Sequence, residues 1–396
     1  MKLIRKMISF TKGIRGSMVL LSLMMTVSMI AGIMVVAQIR YIRRNYELMS
    51  HTTGDSERLF YFMQNDFMMT DAKNREWIQS LEEDPAVAGV YPVYTVNPLT
   101  YGTGADETMI SIVLYHHRLE ELFPGLKQDY SGGSGIITAS PVFDNLSIGD
   151  TVTLRFTRPN VKREFPLVGK LEYPYSRLTF GGSATVPTVN QMFYSGGHLM
   201  MEGTPENLEM LSNLASVSPS MNFILEVRDD ASNEAVDALM LRLSRSGITV
   251  SLPELLKTSE EEIWRQYRTV LPKPVFLLVV SIFGYFSTLI LTFKKKERDL
   301  ALCYLCGANR SQCIAVVLAG FALMALIPTA VCVSMLLILP VCDWLGWMTA
   351  YQYRIDYGCW LLIGGYLALS AGIALITARL QMKDHTPVTL LRGVEQ

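Results

Sequence analysis

The stretch Lys294-Lys295-Lys296-Glu297-Arg298-Asp299, continuing as Leu300-Ala301-Leu302-Cys303-Tyr304-Leu305-Cys306-Gly307-Ala308-Asn309-Arg310, decides how the whole chain is read. It lies between two long apolar runs. A basic side chain at mid-bilayer costs about 2.5–3.5 kcal/mol on insertion scales, so Lys294, Lys295, Lys296 and Arg298 together would cost about 10 kcal/mol or more there. The segment must lie outside the hydrocarbon. Short basic loops of this kind are retained on the cytoplasmic side, which fixes the orientation of everything around it.

Working outward, four apolar runs are candidate spans: 17–39, 275–293, 313–341 and 359–378. None contains Lys, Arg, Asp, Glu or His. The shortest, 275–293, would rise about 29 Å as a helix, which matches a hydrocarbon core of about 30 Å. The first run is not followed by a small-residue cleavage site and is read as a retained anchor. The fold class that follows is an α-helical membrane protein with four transmembrane helices (1 + 3) and a large α+β extracytoplasmic domain inserted between the first and second helices.

Lys2, Arg5, Lys6, Lys12 and Arg15 precede the first span, and Arg379, Lys383 and Arg392 follow the fourth. Both groups fall on the side of the 294–312 loop, so both termini are expected in the cytoplasm, with 379–396 as a tail. Arg40, Arg43 and Arg44, just past the first span, are the exception. Leu3, Met7, Phe10 and Ile14 recur at helical spacing between basic residues, the pattern of an interfacial helix over 1–16.

Residues 40–271 form the inserted domain, long enough to bury a core of its own. Alternation in Asn222-Phe-Ile-Leu-Glu-Val-Arg228 predicts a strand, Val236, Leu239, Met240 and Leu243 a helix face, and Gly247-Ile-Thr-Val-Ser-Leu252 a second strand. A similar helix then strand is predicted across Trp77, Ile78, Leu81 and Val87–Val96. The α/β halves are placed at about 70–100 and 220–252, with a β-rich insertion at about 101–219.

The net charge of −1 and pI near 6.5 point to no nucleic-acid partner. All six cysteines lie in the membrane half, so the inserted domain is expected to fold without disulfides. Cys303-x-x-Cys306 has no second pair and is read as helix packing, and a Cys342–Cys359 bridge is not expected. His116-His117 sits in a strand-like run, where neighbouring side chains point to opposite faces, and no His-Glu-x-x-His is present. Gly132-Gly-Ser134-Gly135 has Ile136 where a nucleophile elbow requires glycine. No Gly-Lys-Ser or Gly-Lys-Thr occurs, so the chain has no phosphate-binding loop; Gly169-Lys170-Leu171 fails the pattern. No catalytic, cofactor-binding or metal-binding residue is assigned. The spans also lack the ionisable residues of ion-coupled carriers, and Pro328 is read as a kink.

Lys296-Glu297-Arg298 through Leu305, with Gly307-Ala308-Asn309-Arg310 and Gln312, resembles the cytoplasmic loop of the FtsX-like permease family, the membrane subunits of MacB-type (type VII) ABC transporters. The 1 + 3 layout, the ending Pro387-Val-Thr-Leu390-Leu391-Arg392, and Ile137-Thr-Ala-Ser, Ile148-Gly149-Asp150-Thr-Val and Val168-Gly169 are similar to that family too. The resemblance implies that ATP and Mg are bound by a separate cytoplasmic ABC ATPase and that the chain is a permease subunit of the bacterial cytoplasmic membrane. It implies a second copy or a paralogous permease, an extracytoplasmic adaptor or effector, and lipid as neighbours. The function it implies is export or extraction of a lipid, lipoprotein, peptide or antibiotic. The alternative is mechanotransmission to an extracellular partner, such as a cell-wall hydrolase or sensor, without transport.

Under this resemblance, Glu297, Arg298, Asp299, Leu300, Cys303, Tyr304, Gly307 and Arg310 are the expected ATPase-coupling residues. Leu300, Cys303, Tyr304 and Gly307 recur at i, i+3, i+4, i+7. A solvated loop that only enforces topology is the alternative. Arg40, Arg43 and Arg44 are expected to pair with Glu260, Glu261 and Glu262 across a stalk formed by outward extensions of the first two spans. Such pairs are worth about 0–1 kcal/mol each, and plain solvated helices are the competing reading. Pro272 and Pro274 would mark a joint where the second extension meets the membrane.

Overall fold

The computed structural model describes residues 15–65, 71–102, 108–126, 134–138, 143, 145–157, 160–170, 177–178, 187–194, 199–295, 302, 306–344 and 354–381. The chain divides into two compact units. One comprises Met1–Arg40, Arg265–Val341 and Tyr353–Gln396, and the other Tyr41–Trp264 and Cys342–Gln352.

In the second unit, strands β1 (Leu59–Gln64), β2 (Val87–Tyr101), β10 (Val217–Val227) and β11 (Gly247–Ser251) form an antiparallel array in the order β11-β1-β10-β2. Helix α2 (Asp71–Glu82) joins β1 to β2, and α6 (Asn233–Ser244) joins β10 to β11. Each crossover skips one strand, so two β-α-β units interleave in the split arrangement. The strand–helix–strand pattern read from residues 222–252 is present, and Ser232 starts its helix by accepting a hydrogen bond from Ala235 N at 3.3 Å. Ile78 and Leu81 of α2 and Leu239 and Leu243 of α6 bury one face of the sheet against Phe62 and Phe223, whose rings stack at 5.0 Å. The opposite face packs against Leu48 and Met49, at the end of the first helix α1 (Arg15–Ser50), and Leu252 and Leu255, at the start of α7 (Leu252–Thr269).

The β-rich stretch between the halves shares this sheet. Beyond β2 the order continues β3 (Thr108–Tyr115), β9 (Leu199–Glu202), β4 (Ile136–Thr138), β6 (Val161–Lys170), β5 (Thr151–Phe156). β5 then pairs back onto β2 through Leu99↔Phe156 and Thr100↔Arg155, closing a six-strand barrel. Inward side chains fill it: Leu99, Ile112, Ile136, Leu154, Phe156 and Leu167 are all fully buried. β2 belongs to both parts, so the insertion is one of sequence and not a separate sheet. The remaining short elements are α3 (His117–Leu122), β7 (Arg177–Leu178), α4 (Val189–Met192), β8 (Phe193–Tyr194) and α5 (Pro205–Ser212); α3, α4 and β8 pack in the cluster that holds Leu48 and Leu255, and Leu211 of α5 packs in the barrel core.

The first unit is helical. α8 (Pro272–Lys295), α9 (Arg310–Trp344) and α10 (Tyr357–Gln381) join the N-terminal part of α1. Among the described residues three helices, Ser22–Ser50, Leu252–Lys295 and Tyr357–Leu380, are long and apolar enough to cross a membrane; within α9 the apolar stretch Ala325–Leu339 is shorter. α7 and α8 form one run broken at Val270–Leu271, where Leu271 N reaches back to Gln266 O at 3.3 Å in place of the i−4 carbonyl. Pro272 and Pro274 lack an N–H, so the break falls where the sequence places a joint. Apolar side chains such as Val19, Leu23, Phe276, Phe283 and Leu361 are exposed on the helices, as expected of surfaces meeting lipid.

Candidate functional site

The turn that follows α8 is built from two opposed helix signals. Lys294 and Lys295 end α8. Glu297, Arg298, Asp299, Leu300, Cys303 and Tyr304 lie outside the described residues. The Cys306 N–H donates to Leu302 O at 3.0 Å, one helical turn, and Gly307 then adopts φ +86°. No atom lies within 4 Å of where a Cβ would stand at Gly307, so backbone conformation alone selects glycine. Gly307 thus stops the turn instead of extending the i, i+7 face, because a left-handed residue cannot continue a right-handed helix.

Two residues later a new helix starts. Asn309 Oδ1 accepts from Gln312 N at 2.9 Å, and Gln312 Oε1 accepts from Asn309 N at 3.0 Å. This reciprocal pair is a capping box, and Arg310 is the first residue of α9. The spacing Asn309-x-x-Gln312 before an apolar run carries that signal in the sequence, and the loop reading did not use it.

At its other end the helical unit is tied by Arg40. Its Nε lies 3.3 Å from Asp356 Oδ2, and its guanidinium stands 4.8 Å from the Tyr357 ring centroid. Asp356 also caps α10, accepting from Gly358 N at 2.8 Å, and Arg354 N donates to Ala37 O at 3.0 Å. Deeper in the unit Ser28 Oγ and Ser281 Oγ are 3.0 Å apart, both side chains buried, which links α1 to α8. Sequence reasoning missed Asp356, although Asp before an apolar run is a helix-start signal.

Of the other expected stalk residues, Arg43 pairs with Glu47 on its own helix at 3.1 Å. Arg43 and Arg44 are exposed, as are Glu260 and Glu261, while Glu262 is half-buried. The buried face of α1 in this region is Tyr41, Ile42, Asn45, Leu48 and Met49, and that of α7 is Leu252, Leu255, Ser259 and Ile263. The free cysteines include Cys342 and Cys359, so neither is bridged.

The β-domain carries one polar network. Tyr91 donates to Glu226 at 2.6 Å, and Arg118 binds Glu226 at 3.1 Å and Glu121 at 3.0 Å. Gly89 makes room for it, since a Cβ there would stand 2.3 Å from the Tyr91 hydroxyl. Hydrogen bonding to Arg118 holds the Glu121 carboxyl below its usual range, and burial followed by the neighbouring Glu226 pushes the Tyr91 hydroxyl up. His116 does not lie within a strand as expected. It caps α3, with Nδ1 accepting from Arg118 N at 3.1 Å, and its ring stacks on His117 at 4.7 Å. The chain leaves the strand at Tyr115, so strand alternation no longer separates the two rings. Burial, then the adjacent His117, lowers the His116 pKa. Both Glu226 oxygens have donors, Tyr91 and Arg118, and the network ties β2, β10 and α3 together.

No protein-family model matches this chain, and no curated protein matches it. Among solved structures it is similar to the periplasmic region of MacB from Actinobacillus actinomycetemcomitans, at 11% identity and TM-score 0.30, covering 51% of this chain and 92% of that one. It is similar to the extracellular domain of the noncanonic ABC-type transporter YknZ from Gram-positive bacteria, at 10% identity and TM-score 0.26, covering 46% and 86%. A heavy metal efflux pump is matched at 14% identity and TM-score 0.17 over 84% of this chain and 33% of that one. At these scores the functional reading rests on the chain's own residues.

A turn fixed by Gly307 and Asn309 follows a basic run, and α1 is tied by directional contacts to α8 and to α10. Among the described residues no group of three or more His, Cys, Asp or Glu is placed to hold a metal ion.

Proposed function

We propose that this chain is the membrane permease subunit of an ATP-driven, MacB-like ABC transporter, with four transmembrane helices and both termini in the cytoplasm. The turn between α8 and α9 supports this reading most directly. Gly307 ends one helical turn and the Asn309–Gln312 box starts the next helix, so the segment 294–305 is followed by a defined exit into α9. In this reading that segment docks on a cytoplasmic ATPase, with Glu297, Arg298, Asp299, Leu300, Cys303 and Tyr304 as contact residues and Gly307 and Arg310 setting its exit. ATP and Mg belong to the ATPase. The helices carry its motion to the β-domain, which acts on a lipid, lipoprotein, peptide or antibiotic.

A second reading, motion passed to an extracellular partner without transport, is favoured by one observation. The barrel is packed with its own side chains, so it works as a rigid lever as readily as a carrier.

Affinity purification of the tagged chain from native membranes, with an ATPase assay on the eluate, tests the proposal. A co-purifying ATPase that is lost or uncoupled by Gly307→Pro supports it. Failure to recover any ATPase under several mild detergents would overturn it.

A further inference from the structure

The β-domain grips α1 and α7 in two different ways. Against the open half of the sheet the contacts are apolar: Leu48 and Met49 from α1 and Leu252 and Leu255 from α7 lie among Leu59, Tyr61 and Ile224. Apolar contact is non-directional and tolerates small slides. Hydrogen bonds occur at α4. Asn45 of α1, completely buried, donates from Nδ2 to Asn190 Oδ1 at 3.0 Å. One residue earlier, Val189 N donates to the buried Ser259 Oγ of α7 at 2.9 Å. Consecutive residues of one short element therefore hold both helices.

The same element is anchored in the domain. Val189, Met192 and Phe193 are nearly fully buried in the cluster that receives α1 and α7. β8 follows α4 directly, and β9, after residues 195–198, runs between β3 and β4 in the barrel. A buried asparagine in an apolar interface is an inefficient way to add stability and an effective way to fix register. Among the described residues Asn45 Oδ1 has no hydrogen-bond partner, so this residue is not placed there for its own satisfaction.

We propose that α4 is the register key of the domain: Asn45 and Ser259 are positioning residues that lock α1 and α7 to Asn190 and Val189, so displacement of either helix is delivered first to α4 and β8. The inference takes the helix displacement itself from the proposed function, but its test requires no ATPase.

Hydrogen exchange on the full chain in detergent, comparing wild type with Ser259→Ala and Asn45→Leu, reads the connection directly. Loss of one directional bond at α4 is expected to speed exchange about tenfold at 189–194, with β1 and β10 unchanged. An oxidised Asn45→Cys/Asn190→Cys pair, read against its reduced form, should slow exchange at the same residues. Faster exchange confined to α1 and α7, no change in either variant, or an equal rise across β1 and β10 would overturn the proposal. Because Ser259→Ala removes only a hydroxyl, it keeps the test decisive if Asn45→Leu fails to fold. Loss of ATPase co-purification would count against the permease reading and leave this exchange pattern intact.

Discussion

Arg40 Nε stands 3.3 Å from Asp356 Oδ2, and the same carboxylate caps α10 through its other oxygen. One side chain therefore closes the last helix against the first and starts it. Asp356→Ala removes both interactions and is expected to cost about 1–2 kcal/mol, most of it the cap, since a partly exposed ion pair contributes about 0–1 kcal/mol. Asp356→Asn keeps the cap and should lose much less. Thermal unfolding in detergent, with Arg40→Gln completing a double-mutant cycle, separates the two terms.

The Ser28–Ser281 contact predicts a small, specific coupling. Interhelical hydrogen bonds in membranes average about 0.6 kcal/mol in such cycles, so Ser28→Ala and Ser281→Ala should be mild and non-additive by about that amount. Each hydroxyl has one proton, and a carbonyl of its own helix competes for it, Met24 O at 2.9 Å from Ser28 Oγ and Leu277 O at 2.8 Å from Ser281 Oγ, so the inter-serine bond forms only when one of the two gives up its carbonyl. A coupling above about 2 kcal/mol would mean that the pair does more than join two helices.

At the turn, Gly307→Ala should be destabilising by about 1–2 kcal/mol through its left-handed backbone alone, because the space around it is open. Asn309→Ala should cost about 1 kcal/mol as a lost cap, and Asn309→Ser should recover most of it. Limited proteolysis of the full chain would register both as faster cleavage near 302–310.

The His116 cap predicts acid sensitivity. Burial lowers its folded-state pKa below the ordinary histidine value of about 6.5, so the unfolded chain takes up the proton more readily. This contribution to stability is complete above the unfolded pKa and is lost as pH falls from about 6.5 through the folded value. Protonation at Nδ1 also removes the acceptor for Arg118 N, a capping loss of about 1 kcal/mol. Melting temperature measured from pH 7.5 to 5 should fall in wild type and fall less in His116→Asn, which keeps a capping acceptor without a titration.

The sequence makes plain whatever depends on local periodicity. The β10-α6-β11 unit was readable from Phe223, Leu225 and Val227 and from the 3.6-residue spacing of Leu239 and Leu243, all of which are buried. The break at Val270–Leu271 was announced by Pro272. Barrel closure was not readable, because Thr100↔Arg155 joins strands that no hairpin connects. His116 misled for a related reason: a strand's alternation says nothing about the residue where it stops. The grip on α1 and α7 was hidden too, since α4 is one turn long and its Asn190 becomes informative only beside Asn45. At the turn, the i, i+7 spacing that puts Gly307 on a helix face is blind to the sign of φ.

Strand β1 has a consequence for how the chain matures. Both of its neighbours, β10 and β11, are synthesised far later, whereas the six barrel strands β2 to β6 and β9 all precede Val217 in the chain. During synthesis β1 must wait without a pairing partner until Val217–Ser251 has emerged, while its own Leu59, Tyr61 and Phe62 are apolar. A nascent chain halted before Val217 would carry a finished barrel and an orphaned sticky strand.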